Sequence, residues 1–227
     1  MRVSAILLAA GKGERFKSKI SKPLVKIGSL SLIAYSLRIL SGVSSISEII
    51  VVSNHENKEA VVLEIRKHRI VKVKKIVLGG KLRQDSVYNG LKAVDAAADL
   101  VLIHDSARPF IDKKMVLSVI KEADAFGAAI VGVPVKATIK KVTSRMVVAK
   151  TIDRSDLWEI QTPQVFRKKL IERAFEKCGR GIATDDAMLV EKLSEPVSVV
   201  LGSYNNIKVT TPEDLVIAQA IVKLSKA

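Results

Sequence analysis

Cysteine is almost absent. Cys178 stands alone in the 227 residues, so no internal disulfide can form and the chain reads as one kept in a reducing, cytoplasmic setting. His55, His68 and His104 are scattered. No Cys/His spacing resembles a zinc site, and no histidine or cysteine stands out as a nucleophile. Aromatic residues make up 4% of the chain, which leaves few rings on which nucleic-acid bases would stack. No apolar run reaches the ~18 residues of a membrane span. Val3–Ala10 is apolar but short, and it leads into glycines and charges rather than a cleavage site, so it does not read as a signal peptide. Acidic residues are scarce: 23 Asp plus Glu against 38 Lys plus Arg, for a net charge of +15. That balance favours anionic partners but does not by itself separate nucleic acid from small phosphates. The densest basic segment, Arg66–Lys75, reads as a solvated helix end running into a strand with one wet face, in preference to a polyanion patch.

What is present is an ample apolar content, 48% of residues, enough for one full core over residues 1–227. There are no internal repeats. Short apolar runs alternate with helical patterns. Strands are expected at Ser4–Ala9, Glu48–Ser53, Val73–Leu78, Leu100–His104 and Ala128–Val133. Helices are expected at Leu30–Leu40, Lys58–Arg66, Ser86–Ala97 and Met115–Phe126. The alternation predicts an α/β domain with a mainly parallel sheet covered on both faces. Thr138–Ile152 breaks the pattern. It alternates polar and apolar residues around Thr143-Ser144-Arg145, which predicts a two-stranded β arm within residues 137–153. An isolated ribbon is marginal in water, so a partner subunit is expected to cover it. Helices at Arg167–Lys177 and Asp185–Leu193, strands at Val197–Leu201 and Ile207–Thr210, and a helix from Pro212 with Thr211 as N-cap complete the chain.

In open α/β sheets the ligand sits beyond the carboxyl ends of the strands. Four segments fall there: Ala9–Lys22, Gly79–Ser86, His104–Pro109 and the segment after Pro134. Ala9-Ala10-Gly11-Lys12-Gly13-Glu14-Arg15 lets backbone N–H groups approach a phosphate chain, or is an ordinary glycine turn. It is not a P-loop, and Phe16 stands where a dinucleotide fingerprint needs its third glycine. That fingerprint also wants an acid after the second strand, where Ser53 and Asn54 stand. The basic continuation Ser18–Leu24 supplies Lys22 to a triphosphate, or is a solvated surface loop. In Gly79–Val87 the glycines allow approach to a flat base, and Ser86 reads the polar edge of that base or simply caps the next helix. Asp105, ahead of Ser106, Ala107 and Arg108, suits a metal bound to phosphates; the competing reading is an Asp105–Arg108 structural pair. Lys208 either snorkels to the surface or points into a polar site.

Taken in order, these segments resemble the 2-C-methyl-D-erythritol 4-phosphate cytidylyltransferases. Val133–Lys140, Asp153-Arg154, Gln161–Phe166 and Thr184–Ala187 are further marks, and the likeness runs from about Val3 to the final helix. The resemblance implies a Rossmann-like nucleotidyltransferase fold, a homodimer formed through the arm, and transfer of CMP from CTP to methylerythritol phosphate with Mg²⁺. It implies that Arg15, Lys22 and Lys208 are catalytic. Ala9, Ala10, Gly11, Gly13, Gly80, Lys81, Ser86, Asp105, Ser106 and Ala107 would bind the nucleotide, with Asp105 at the metal. Arg108, Thr138, Arg154, Thr162, Thr184 and Lys208 would face the acceptor. Two positions depart from the family pattern: Ser21-Lys22-Pro23 replaces Pro-Lys-Gln, and Ala137 replaces an aspartate. The alternatives are a cytidylyltransferase acting on ribitol 5-phosphate and, from another class, a non-catalytic basic domain that binds nucleic acid.

Overall fold

A computed structural model of the chain describes residues 1–11, 20–178 and 183–224. The first strand, β1 (Val3–Leu8), is followed, beyond residues 12–19, by a 3-10 turn at Lys22–Leu24 and a small hairpin of β2 (Lys26–Ile27) and β3 (Leu30–Ser31). Then come α1 (Leu32–Ser41), β4 (Ile46–Ser53), α2 (Lys58–Lys67), β5 (Val73–Leu78), α3 (Arg83–Lys92), β6 (Leu100–Asp105), α4 (Lys113–Phe126) and β7 (Ala128–Pro134). The chain continues through β8 (Ile139–Val142), β9 (Val148–Ile152), β10 (Trp158–Arg167), α5 (Lys168–Cys178), α6 (Ala187–Glu191), β11 (Ser198–Leu201) and α7 (Pro212–Leu224).

The central sheet has seven strands in the order β11-β7-β10-β6-β1-β4-β5. All neighbours run parallel except at β10, which is antiparallel to both β6 and β7. Side chains alternate between the faces of a strand, and here both faces are dry. Ala5 and Leu7 join Ile33, Leu37, Met115, Val116 and Val119 from α1 and α4 on one side. Ile6 joins Val87, Leu91, Ile171 and Phe175 from α3 and α5 on the other. This is why the sequence of β1 is a continuous apolar run rather than an alternation. The strand is flanked by β4 on one edge and β6 on the other, so the order reverses at β1 and a crevice opens at its carboxyl end.

The arm is an antiparallel sheet of its own, β8 with β9. Its apolar residues Met146, Val147 and Val148 are exposed. Its root is tied down: Val135 N–H donates to Leu157 O at 2.9 Å, Tyr204 Oη–H donates to Pro134 O at 2.8 Å, and the Lys136 ammonium lies 3.4 Å from the Tyr204 ring centroid.

Several sequence-based expectations need correction. Trp158–Phe166, given no element in the sequence reading, forms with Arg167, expected to open a helix, a ten-residue strand inside the sheet between β7 and β6. Ile207–Thr210 is no strand; its Val209 N–H donates to Ala107 O. Ser86 does not cap α3, because the helix begins at Arg83 and Asp85 accepts the Leu82 N–H instead. The helix expected at Asp185–Leu193 is the shorter α6. The cap of α7 stands: Thr211 Oγ1 accepts from Asp214 N–H, and the Asp214 carboxylate accepts from the N–H groups of Thr210 and Thr211.

Candidate active site

The crevice is centred on Asp105, the last residue of β6, which is 7% exposed. Arg83, in the first turn of α3, places its Nε 3.2 Å from Asp105 Oδ1 and its Nη2 2.8 Å from Asp186 Oδ2. Lys208 brings its ammonium 2.6 Å from Asp105 Oδ2. Two carboxylates and two cations therefore form a chain, Asp186–Arg83–Asp105–Lys208. Burial opposes the charge on Asp105, but Arg83 and Lys208 outweigh it and hold the carboxyl below its usual range. Burial dominates at Asp186, whose pKa lies above the usual value despite the pull of Arg83. Burial likewise opposes the Arg83 charge, and the two carboxylates more than compensate. Lys208 thus reaches into the polar site rather than snorkelling outward. The Asp105–Arg108 pair is absent from the described ion pairs, which overturns that reading of the strand tip.

The turn after Asp105 is braced from below by His104, which is fully buried. Its Nε2 lies 3.1 Å from Arg108 O and 3.4 Å from Ser36 Oγ, and its Nδ1 lies 2.8 Å from Thr162 Oγ1. Burial pushes its pKa down to about 4, so the ring is neutral near pH 7. The Arg108 carbonyl can only accept, which assigns the ring proton to Nε2. Nδ1 then accepts the Thr162 hydroxyl proton, and Thr162 Oγ1 accepts the Asp105 N–H at 3.1 Å. One imidazole thereby ties down both ends of the Asp105–Arg108 turn. Ser106 donates from N and from Oγ to Leu8 O, joining the turn to β1. Arg108 is buried, and its Nη1 donates to Asn206 O at 2.7 Å. Asn206 in turn donates to Gln161 Oε1 and Thr162 O.

The remaining walls come from neighbouring strand tips. A Cβ on Gly79 would stand 2.5 Å from Ala10 Cβ, and one on Gly80 2.2 Å from Asp85 Cβ. Glycine at 79 lets this loop lie against Ala10, and glycine at 80 lets it fold back onto the first turn of α3. Ser86, on α3, accepts the Gly80 N–H and donates to Leu82 O, so it shapes this loop from beneath. Lys81 is exposed at its tip, and Gly11 is exposed where the first loop begins. Lys22 opens the 3-10 turn, and Pro23 is buried behind it. Arg15 and Gly13 lie outside the described residues. Thr184 is exposed next to Asp185 and Asp186. Gln164 of β10 secures that segment: its Nε2 donates to Asp185 Oδ2, and its Oε1 accepts the Asp186 and Ala187 N–H groups. Thr138 and Arg154 are exposed on the arm, with Arg154 Nη1 donating to Lys136 O. A divalent cation suits Asp105 on the chemistry of the donors. The carboxylate is held ionised by Arg83 and Lys208, and a site with one carboxylate leaves the rest of the shell to phosphate oxygens and water, as Mg²⁺ prefers.

Sequence reasoning missed Arg83, Asp186, His104, Gln164 and Asn206 as site-building residues. Arg83 and Asp186 lie within segments singled out as motifs, but nothing in local periodicity pairs residues so far apart.

An open, mainly parallel sheet with its polar network at the switch point, walled by glycine loops and studded with cations, defines a Rossmann-like nucleotidyltransferase. Residues 3–224 match the model of the 2-C-methyl-D-erythritol 4-phosphate cytidylyltransferase family, and the chain belongs to that family. The protein of that name from Alkaliphilus metalliredigens is 43% identical over 228 residues, covering 99% of this chain and 95% of its own. The chloroplastic one from Oryza sativa is 42% identical, over 97% of this chain and 74% of its own. Among solved structures, the 4-diphosphocytidyl-2C-methyl-D-erythritol synthase of Anaerococcus prevotii superposes with a TM-score of 0.86 at 35% identity, covering 98% of this chain and 96% of the other. The Thermus thermophilus cytidylyltransferase gives 0.81 at 29% identity, over 98% of this chain and all of its own. The comparisons favour neither ribitol 5-phosphate as acceptor nor a nucleic-acid-binding role.

Proposed function

We propose that the protein transfers CMP from CTP to 2-C-methyl-D-erythritol 4-phosphate, releasing pyrophosphate, in the non-mevalonate route to isoprenoid precursors. The observation that carries this reading is the ionised Asp105 at the switch point, held between Arg83 and Lys208. A phosphate oxygen of the acceptor attacks the α-phosphorus of CTP. The new O–P bond forms as the bond to the β-phosphate oxygen breaks, and the electron pair leaves with pyrophosphate. The attacking oxygen is already ionised near neutral pH, so no general base is needed and catalysis reduces to positioning and charge stabilisation.

The residues divide by place. Arg15 and Lys22 hold the triphosphate. Backbone and side chains of Ala9, Ala10, Gly11, Gly13, Gly80, Lys81 and Ser86 take the cytosine and ribose, with Ser106 and Ala107 beside the phosphates. Asp105 is the residue that would hold Mg²⁺, which when bound neutralises charge on the triphosphate. Lys208 serves both Asp105 and the acceptor, while Arg108, Thr162 and Thr184 line the acceptor side. Thr162 contributes through the Asp105 backbone that it holds. Thr138 and Arg154 reach the acceptor phosphate from the arm, which packs on a second copy of the chain; the exposed Met146, Val147 and Val148 support that dimer. No described helix is long and apolar enough to cross a membrane, and the single free cysteine fits a cytoplasmic enzyme.

The test is steady-state pyrophosphate release with CTP, Mg²⁺ and methylerythritol phosphate, on wild type and on Arg154→Ala. The wild type turns over. The variant raises the KM for the acceptor about 10-fold or more, as expected for a lost charge-assisted phosphate contact, and leaves the KM for CTP unchanged. A rise confined to CTP would contradict the role given to the arm.

A further inference from the structure

The segment after β4 carries no acid where a dinucleotide-binding fold would have one. Two asparagines do something else there. Asn57 is 1% exposed. Its Nδ2 donates to Ala9 O at 2.9 Å and to Ser21 Oγ at 3.0 Å. Its Oδ1 accepts the Asn54 N–H at 3.1 Å. Asn54 answers in kind: its Oδ1 accepts the Asn57 N–H at 2.8 Å, and its Nδ2 donates to Ala10 O at 3.1 Å. Both amide hydrogens of Asn57 are therefore used. The Ala9 carbonyl can only accept, so the amide admits one orientation. Ala9 and Ser21 flank the glycine-rich loop in sequence, and one buried amide is bonded to both.

We infer that Asn57, seated by Asn54, is a positioning residue for the nucleotide: it fixes the Ala9–Ala10 backbone relative to Ser21 and hence to Lys22. The inference rests on the reading that Ala9, Ala10 and Lys22 serve CTP. Its physical content is preorganisation. Groups held at their binding separation before the ligand arrives do not have to be ordered when it binds. None of the described hydrogen bonds joins Asn54, Asn57 or Ser21 to the acceptor residues Arg108, Thr138, Arg154, Thr162, Thr184 and Lys208, so the effect falls on CTP.

The two sides of the clasp can be cut separately. Ser21→Ala removes one acceptor from a half-buried loop position and leaves the Ala9 bond in place. It raises the KM for CTP about 3- to 10-fold, the worth of one neutral hydrogen bond. Ser21→Thr keeps the hydroxyl and restores the wild-type value. Asn57→Asp keeps the acceptor facing Asn54 but loses both donors, and raises the KM for CTP about 10- to 100-fold. The KM for the acceptor stays at the wild-type value throughout. Unchanged CTP kinetics in folded Ser21→Ala overturn the clasp, as does a rise shared equally by both substrates, which marks a general loosening. Lys22→Ala is measured alongside. If it is impaired while Ser21→Ala is normal, the clasp alone fails; if Lys22→Ala itself turns over normally, the underlying assignment of the loop fails.

Discussion

Replacing Lys22 with alanine lowers kcat at least ~10²-fold, the typical cost of losing one preorganised donor to a transition state. The reason lies in what the reaction lacks. With no proton to move, the protein accelerates transfer only by placing the reactants and by stabilising the negative charge that builds around the α-phosphorus. A cation at that point is worth more in the transition state than in the ground state, so its loss appears chiefly in kcat, with a smaller rise in the KM for CTP from the lost triphosphate contact. The backbone is built to hold such a side chain still. Lys22 opens a 3-10 turn in which Leu24 N–H donates to Ser21 O and Val25 N–H donates to Lys22 O. Pro23 fixes its own backbone angle in the first turn, where a missing N–H costs nothing, and its ring is buried. The departure from Pro-Lys-Gln to Ser-Lys-Pro thus moves the proline to the other side of the lysine while leaving the turn rigid. A folded Lys22→Ala enzyme with near-normal turnover would contradict the assignment.

The second large effect is on stability. Arg83→Met removes the cation shared by Asp105 and Asp186, both buried, and leaves two carboxylates without their common partner. Breaking a fully buried pair costs ~3–5 kcal/mol; Arg83 is 31% exposed, so a loss of about 2 kcal/mol near neutral pH is the expected size. The sign with pH follows from the shifts. Asp105 has a depressed folded pKa, so its contribution is present above the unfolded pKa and is lost as pH falls through the folded value. Asp186 has a raised folded pKa, so its contribution is present below the unfolded pKa and is lost as pH rises through the folded one. Without Arg83 both folded pKa values rise. The deficit of the variant is therefore full near neutrality and shrinks as the carboxyls take up protons. Urea unfolding of wild type and variant at about pH 7.5 and about pH 4.5 measures it. A deficit of equal size at both pH values would contradict the ion chain.

The strands that build the crevice were legible because burial on both faces forces a continuous apolar run, as in Leu100–Asp105, and because Gly79-Gly80 marks a close approach of backbone. The arm was legible from its alternation and its polar turn. The strand β10 was not. Its middle, Gln161-Thr162-Pro163-Gln164, is polar and contains a proline, the signature of a turn or an edge. Those side chains are polar because they serve the site: Thr162 holds Asp105, Gln164 holds the Asp185–Ala187 backbone, and Gln161 holds Asn206. The pairing register of β10 with β7 shifts across this stretch, between Ile160 and Gln164, where the ladder accommodates the proline. The position of Asp105 at the tip of a buried strand was likewise readable, whereas Lys208 read equally as a surface lysine of a short strand. Arg83, which joins Asp105 to Asp186, was not, since it looks like one more basic residue of the loop ahead of the helix expected from Ser86. The ion chain that it joins exists only in three dimensions.

Which acceptor the enzyme prefers is decided by competition. Equimolar methylerythritol phosphate and ribitol 5-phosphate, supplied together with limiting CTP and Mg²⁺, report the ratio of the two kcat/KM values directly as a product ratio. The expected product is 4-diphosphocytidyl-2-C-methyl-D-erythritol, with CDP-ribitol at about 1% of it or less, since discrimination at a site built for one hydroxyl pattern is large. Equal amounts of both products, an excess of CDP-ribitol, or CTP left unconsumed would contradict it.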